Sequence, residues 1–214
     1  RAFGQKIIKA LGERRVHPIF GIPGGVTKPL QSEDREWMLS EIDNHIATTQ
    51  AGIEIFKDWA MQHQETVGEF AVFPSAYMGL VQEDGALELY EGDLRLVDRD
   101  GEHLETFDPT EYLDYLGEHV NNYTYLKAPF YKKRGYPEGV YRVGPLGRLN
   151  VASHISTPIA QGEMKIWKSL NGGAPVEGTL YFHYARLIET IYALERAREL
   201  LEDPITMKKD VLNS

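Results

Sequence analysis

Residues 14–30 are the stretch whose residue types could do chemistry most directly. His17 precedes Pro18, and the paired glycines Gly24 and Gly25 follow further along the same stretch. A histidine braced by proline can direct one ring nitrogen at a fixed acceptor, and paired glycines let the backbone approach another chain closely. Taken from the residues alone, a structural loop is the favoured interpretation and a functional loop is the alternative.

Three arginines form the second set of candidates. Arg142 and Arg148 lie in a segment interrupted by glycine and proline, where they could bind a carboxylate or connect loops. Arg186 lies three residues from both His183 and Glu189, so the three side chains could form a charged ladder on a helix. A structural role is the favoured interpretation for all three arginines, and an anion contact is the alternative.

Two pairs of side chains at helical spacing are weaker candidates for chemistry. Glu41 and His45 could supply two metal ligands, and Glu54 with Asp58 is a candidate pair for acid and base catalysis. Two ligands do not make a metal site, and an exposed acidic face explains the second pair more simply. The sequence also lacks a Walker loop, a glycine-rich dinucleotide motif and a zincin motif. We therefore assign no catalytic residue and no metal ligand within the chain.

Composition restricts the function classes. The chain has 214 residues, a formal net charge of −9 and no cysteine. The acidic balance argues against a nucleic-acid partner, because nucleic-acid readers gather Lys and Arg on one face. Without cysteine the chain cannot hold an Fe–S cluster through thiolates of its own. No apolar run reaches the length of about 18 residues that a membrane helix needs, so we expect a cytoplasmic protein without a membrane partner.

Hydrophobic periodicity predicts the elements that position these residues. Apolar residues at steps of three and four predict helices over residues 2–11, 32–66, 158–170 and 178–201, with a short helix after Asp108. A period of two predicts antiparallel strands over residues 77–81, 86–90, 94–97 and 102–107. We expect a mainly helical α+β fold, in which the long helices of a central bundle carry an inserted antiparallel β meander and a loop-rich region.

The same patterns divide the chain into three segments. Residues 1–68 hold an N-terminal helix, the His-Pro and Gly-Gly loop and a long bundle helix. Residues 69–151 hold the meander, a short helix and loops, and residues 152–214 hold the C-terminal bundle helices.

Four segments in this order resemble the large subunit of the [NiFe] hydrogenases, in particular the cytoplasmic bidirectional, NAD-reducing type. They are HPIFGIPGGV at 17–26, LELYEG at 87–92, YRVGPLGRLNV at 141–151 and HYARLIE at 183–189. The family's metal centre is held by two cysteine motifs, and neither motif is present here. Because the sequence also starts at Arg1 rather than Met, we expect an internal fragment of that subunit.

The resemblance implies a parent enzyme that reversibly oxidises H2 and passes electrons through Fe–S clusters to NAD(P) or another soluble acceptor. It implies a Ni–Fe centre in the parent, Fe–S clusters in a partner small subunit, and NAD(P)-linked diaphorase subunits as further partners. The fragment itself is then a scaffold that is inactive alone and holds no cofactor. His17, Pro18, Gly24 and Gly25 are implied to face the small subunit near its cluster.

Two other identities stay open. One is a metal-free quinone-site relative from respiratory complex I, and the other is a non-catalytic assembly or interaction module. If the chain is a fragment, its apolar stripes should be exposed or covered by self-association, so we expect a dimer or a rearranged packing. The stripe residues concerned are Ile46, Leu180, Leu187 and Leu194.

Overall fold

The structure is a computed structural model that describes residues 2–212 of the chain. Its α-helices are α1 (Ala2–Gly12), α2 (Ser32–Gln62), α3 (Gln64–Glu69), α4 (Tyr112–Tyr115), α5 (Gly144–Val151), α6 (Pro158–Ser169) and α7 (Phe182–Glu202). Its β-strands are β1 (Gly21–Ile22), β2 (Gly25–Val26), β3 (Ala76–Val81), β4 (Asp93–Val97), β5 (His103–Phe107), β6 (Leu116–His119), β7 (Ala128–Tyr131) and β8 (Tyr141–Arg142). The expected mixed α+β class is confirmed. Among the described helices, none combines the length and the apolar character needed to cross a membrane.

The chain forms two compact units. The first unit contains the residues up to Thr49 together with those from Ala193 onward, and the second unit is Gln50–Tyr192. The three-segment division expected from the sequence stays a prediction, because it describes stretches of sequence pattern rather than units of contact.

In the first unit, α1 packs on the N-terminal part of α2. The buried ring of Phe3 lies 5.5 Å from the Trp37 ring and stacks on the His45 imidazole at 4.3 Å. The Arg35 side chain of α2 donates a hydrogen bond of 2.6 Å to the carbonyl of Leu201 near the end of α7. These contacts hold together elements that are distant in sequence.

The apolar stripes are covered more completely than we expected. Ile46 and Leu194 in the first unit are both buried, and Leu180 and Leu187 in the second unit are half-buried. The expectation that these four side chains are exposed is therefore wrong for Ile46 and Leu194, because the chain's own elements bury them.

In the second unit, β3 is the central strand of a sheet with the order β5-β4-β3-β8. β3 pairs antiparallel with β4, which places Tyr77 opposite Val97, and β4 pairs antiparallel with β5. These strands form an antiparallel meander with three of the four strands that the sequence predicts. β8 then pairs in parallel with β3, with Ala76 opposite Tyr141.

Both faces of β3 are buried. Tyr77 and Val81 contribute to a large apolar cluster that includes residues of α5, α6 and α7. Ala76 and Met78 contribute to a smaller cluster, whose other buried members are Leu96, Phe107 and Tyr131. The alternation of side chains along the strand therefore joins two hydrophobic layers.

Two glycines let α5 approach β3 closely. A Cβ atom on Gly79 of β3 would lie 2.9 Å from the Cα of Arg148, and a Cβ atom on Gly147 of α5 would lie 3.0 Å from the carbonyl oxygen of Met78. Carbon atoms normally approach no closer than about 3.5 Å. A side chain at Gly79 would therefore force α5 and β3 apart, and one at Gly147 would be packed more tightly than usual.

Local hydrogen bonds replace the strand predicted over residues 86–90. The Asp84 carboxylate accepts from the backbone N–H of Ala86, and the Glu88 carboxylate accepts from those of Leu89 and Tyr90. Such short side chains compete with a sheet ladder for backbone donors. Only isolated bridges therefore form at Ala86 and Leu87.

The short helix after Asp108 ends earlier than the spacing of apolar residues in the sequence predicts. The Asp108 carboxylate accepts from the backbone N–H of Thr110, which is the cap that the sequence predicts. The helix stops at Tyr115, because Leu116–His119 pairs antiparallel with Ala128–Tyr131.

We predict that Gly79→Ala destabilises the chain, because the added methyl group overpacks the boundary between α5 and β3. We expect a loss of about 1–3 kcal/mol in the free energy of unfolding, measured by urea denaturation. Gly162→Ala is the matched control, since a Cβ atom there meets nothing within 4 Å on the exposed face of α6. That control should raise stability by up to about 1 kcal/mol. Equal effects at the two positions would contradict the close approach.

Candidate functional site

The predicted loop around His17 follows directly from the end of α1. The helix ends at Gly12, where a Cβ atom would lie only 2.4 Å from the Cβ of Pro18. The backbone N–H of Ile19 donates to the Gly12 carbonyl at 3.0 Å. Pro18 thus packs against the helix end and turns the chain back.

His17 lies at the outside of this turn. It is exposed and has a φ of +52°, a left-handed conformation that few residues other than glycine adopt. Within residues 2–212 its ring makes no hydrogen bond, ion pair or ring contact. Both ring nitrogens are therefore free to meet a group from outside the chain.

The loop also carries exposed apolar side chains, which we call the loop surface. Val16 is 69% exposed, and Phe20 is 40% exposed. The other two members are Ile19 and Ile22. A cluster of exposed apolar side chains around an unpaired histidine is typical of a surface that another chain covers.

The two predicted glycines lie in the hairpin of β1 and β2. Gly24 has a φ of +87°, which the turn of this hairpin requires. At Gly25 a Cβ atom would lie 2.0 Å from the carbonyl oxygen of Val211, and the neighbouring N–H of Val26 donates to that oxygen at 3.0 Å. Within this chain, the close backbone approach at Gly25 is therefore made to the segment around Val211.

Arg142, the first of the predicted arginines, is buried in the second unit. Its guanidinium donates to the hydroxyls of Ser75 and Tyr77, both at 2.8 Å, and to the carbonyls of Glu177 at 2.6 Å and Phe73 at 3.2 Å. The guanidinium also lies 4.6 Å from the Phe73 ring centroid, a cation–π distance. Arg142 thereby connects the segment before β3 with the one before α7. Burial raises the pKa of Tyr77, although the charge of Arg142 opposes that rise.

Arg148 and Arg186 have different surroundings. Arg148 makes a two-pronged ion pair with the buried Glu189 of α7, with both N···O distances at 2.7 Å. Arg186 is exposed on α7. The three arginines therefore do not converge on one anion site. Glu189 pairs with Arg148 rather than with Arg186 of the expected ladder, and this ion pair connects α5 to α7.

A further charged group, which we did not identify from the sequence, lies between α2, α6 and α7. The Nζ atom of Lys57 lies 2.9 Å from a carboxylate oxygen of Glu54 and 3.0 Å from one of Glu163. The Tyr184 hydroxyl also donates to the Glu163 carboxylate, at 2.6 Å. Burial alone would lower the pKa of Lys57, but the two carboxylates raise it above its usual value. The Lys57 and Glu54 spacing is visible in the sequence, whereas the contact with Glu163 depends on the tertiary fold.

The metal centre that the resemblance implies does not fit this part of the chain. Thiolate ligands need cysteine, and the chain has none. Among residues 2–212, no group of three or more His, Asp or Glu side chains is arranged to hold a metal ion. We therefore derive no catalytic step through a nickel–iron centre or an Fe–S cluster on these residues.

Comparisons with known proteins give a consistent group of relatives. The chain is 43% identical over 211 residues to a subunit of the F420-non-reducing hydrogenase vhu of Methanococcus voltae, an alignment that covers 99% of this chain and 50% of that protein. It is 36% identical over 218 residues to the NAD-reducing hydrogenase HoxS subunit beta of Cupriavidus necator, covering 99% of this chain and 44% of that protein. The chain is thus similar to hydrogenase subunits. No family model matches it.

The fold comparison agrees with the sequence comparison. A chain in the crystal structure of an NAD+-reducing [NiFe]-hydrogenase in the H2-reduced state superposes with a TM-score of 0.93 and 30% sequence identity. The superposition covers 100% of this chain and 48% of that chain. The present chain therefore spans about half the length of the relatives that it matches.

These names correct the expected assignment to the large, nickel-binding subunit. The names of the two relatives above describe hydrogenase subunits without calling either of them large. A relative from Archaeoglobus profundus, 27% identical over 218 residues, is named as an iron-sulfur subunit of an F420-non-reducing hydrogenase. The assignment is therefore corrected to the broader statement of similarity to hydrogenase subunits.

We predict that Arg148→Met strongly destabilises the chain, because it leaves the buried Glu189 carboxylate without its partner. The expected loss is about 3 kcal/mol in the free energy of unfolding, measured by urea denaturation. Arg196→Met is the matched control, since Arg196 pairs with Glu199 on an exposed part of α7. That control should change stability by no more than about 0.5 kcal/mol. A loss at Arg148 as small as that of the control would show that the ion pair does not hold α5 to α7.

Proposed function

We propose that the chain is part of a cytoplasmic hydrogenase subunit, in which it is a scaffold for a neighbouring subunit that carries the redox centre. The whole enzyme would oxidise H2 reversibly and deliver electrons to NAD(P) or another soluble acceptor. The observation that carries the proposal is the superposition of the entire chain on an NAD+-reducing [NiFe]-hydrogenase chain with a TM-score of 0.93. The long helices α2 and α7 would form part of a central bundle of the complete subunit.

The loop surface is the region that we propose faces the neighbouring subunit. Exposed apolar side chains are unfavourable in water, and each gains free energy when a partner covers it. Val16 and Phe20 supply such side chains on either side of His17. Pro18 restricts its own backbone angle, and the hairpin that Gly24 and Gly25 permit is held by strand pairing and by the bond from Val26 to Val211. These restraints lower the entropy cost of binding.

His17 gives this surface a polar contact. An imidazole N–H is a hydrogen-bond donor, and donation to a cluster sulfide is one way in which a protein raises a cluster's reduction potential. We propose that His17 makes this contact with an Fe–S cluster of the neighbour. The free ring nitrogens and the outward position of His17 support the assignment.

We predict that Val16→Asp in the complete hydrogenase weakens assembly, because it puts a carboxylate into an apolar contact. Recovery of the neighbouring subunit with the tagged mutant subunit should fall at least about tenfold at equal expression. Val120→Asp is the matched control: Val120 is 67% exposed, against 69% for Val16, but lies outside the loop surface. Equal recovery with the two variants would contradict the proposed interface.

We also predict that His17→Ala slows H2-dependent dye reduction by the assembled enzyme without lowering its metal content. The variant removes a donor to the cluster and should also shift that cluster's midpoint potential, measured by redox titration. His183→Ala is the control, since His183 is exposed on α7 and outside the loop surface. Unchanged potential and unchanged rate in His17→Ala would refute the contact, whereas a lower metal content would assign His17 a role in assembly instead.

A further inference from the structure

A cavity of about 350 Å³ opens in the second unit beside the C-terminal end of α5. Its charged and titratable lining side chains come from three elements: Arg95 from β4, His103 from β5 and Lys168 from α6. Among residues 2–212, no Asp or Glu side chain lines it. In a chain with a net charge of −9, a cavity lined only by cationic and neutral groups is unexpected.

Within the part of the chain that the structure describes, the two strong cations of this cavity have no carboxylate partner. Among the described residues, neither Arg95 nor Lys168 lies within 4.0 Å of a carboxylate oxygen. Arg95 donates to the Val151 carbonyl and Lys168 donates to the Asn150 carbonyl, and both bonds are long at 3.4 Å. These carbonyls end α5, whose dipole supplies only about half a negative charge. Most of the positive charge therefore remains uncompensated.

Asn150, whose carbonyl accepts from Lys168, is held by its own side chain. The Asn150 amide donates to the Val176 carbonyl at 3.0 Å, and its oxygen accepts from the Val176 N–H at 3.0 Å. Asn150 is buried. The carbonyls that orient Arg95 and Lys168 consequently keep fixed positions, so the site is formed before any ligand enters.

The surroundings of Lys168 favour an incoming negative charge. Burial lowers the pKa of Lys168 to about 8, and the positive charge of Arg95 acts in the same direction. His103 at the rim is exposed, and its Nε2 lies 2.9 Å from the Thr106 hydroxyl. A bound anion would offset both the burial of the ammonium and its repulsion by the guanidinium.

We propose that this cavity is a binding site for a phosphate-type oxyanion, held by the guanidinium of Arg95 and the ammonium of Lys168. A doubly charged oxyanion matches the two unpaired cations, whereas a carboxylate matches only one. The planar guanidinium can donate to two oxygens of such a group, and the ammonium can donate to a third. The ligand is either a free ion or the phosphate group of a larger molecule.

The first test is calorimetric titration of the purified chain with inorganic phosphate near neutral pH and at low salt. Lys168→Met and Arg95→Gln should each raise the dissociation constant at least about tenfold, since each removes a charge-assisted hydrogen bond. Lys165→Met is the matched control, because Lys165 is an exposed lysine of the same helix, and it should leave the constant within about twofold. Circular dichroism of each variant checks that it is folded.

Two more ligands test whether the site prefers a phosphate group over a carboxylate, and whether that phosphate is free or part of a larger molecule. Acetate should bind at least about tenfold more weakly than phosphate, because it carries a single charge. Tighter binding of phenyl phosphate than of phosphate indicates a phosphate group on a larger molecule, and the reverse order indicates a free ion. The absence of saturable binding of both phosphate compounds would overturn the proposal, as would equal binding of acetate.

A proton-linkage measurement tests the role of Lys168 through a second readout, beginning with the wild-type chain. Because the pKa of Lys168 is about 8, the side chain is about half protonated at that pH, and a bound anion raises its pKa. Sulfate binding near pH 8 should therefore take up to about half a proton from the buffer, measured as the dependence of binding heat on buffer ionisation enthalpy. The uptake should vanish in Lys168→Met and persist in Lys165→Met. Sulfate binding without proton uptake would overturn the role of Lys168.

Discussion

The close contact between α5 and β3 is the constraint on which the second unit depends. Gly79 and Gly147 remove the side chains that would otherwise keep the helix away from the strand. The short distance brings Arg148 to the Glu189 carboxylate of α7. It also places the end of α5 beside β4 and α6, so the last carbonyls of the helix accept hydrogen bonds from Arg95 and Lys168. One backbone approach thus positions both the buried ion pair and the cationic cavity.

The second unit has three kinds of surroundings for its buried and half-buried cations. Arg148 has a carboxylate partner, and Arg142 is surrounded by neutral acceptors and aromatic rings. Arg95 and Lys168 have only long bonds to carbonyls. Since a buried charge is costly unless it is compensated, the first two arrangements are complete within the chain. The third is the one that gains most from a ligand.

Periodicity in the sequence predicted the helices and strands that have one regularly spaced buried face. α2, α6 and α7 and the strands β3, β4 and β5 lie close to their expected ranges. The sequence did not reveal α5, because Gly144, Pro145 and Gly147 are typical of a turn. In the structure Pro145 occupies the first turn of the helix, where its missing N–H costs nothing, and Gly147 faces the sheet.

The sequence predicted the exposed loop at His17 but not the contacts that join distant parts of the chain. The outward position of His17 agrees with its proline-braced segment, whereas the contact of Gly25 with Val211 joins residues far apart in sequence. The pair of Arg95 and Lys168 had no sequence signal at all, because the two residues are brought together only by the packing of α5, β4 and α6. Long-range contacts of this kind are set by tertiary structure, and a single sequence does not show them.

Hydrogen–deuterium exchange tests the central proposal, that a neighbouring subunit covers the loop surface of this chain. The exchange of backbone amides is compared between the free chain and the same residues in the assembled hydrogenase. Our account predicts slower exchange of residues 14–30 in the assembly, with the exposed segment around Val120 unchanged. Identical exchange of residues 14–30 in the two samples would contradict it.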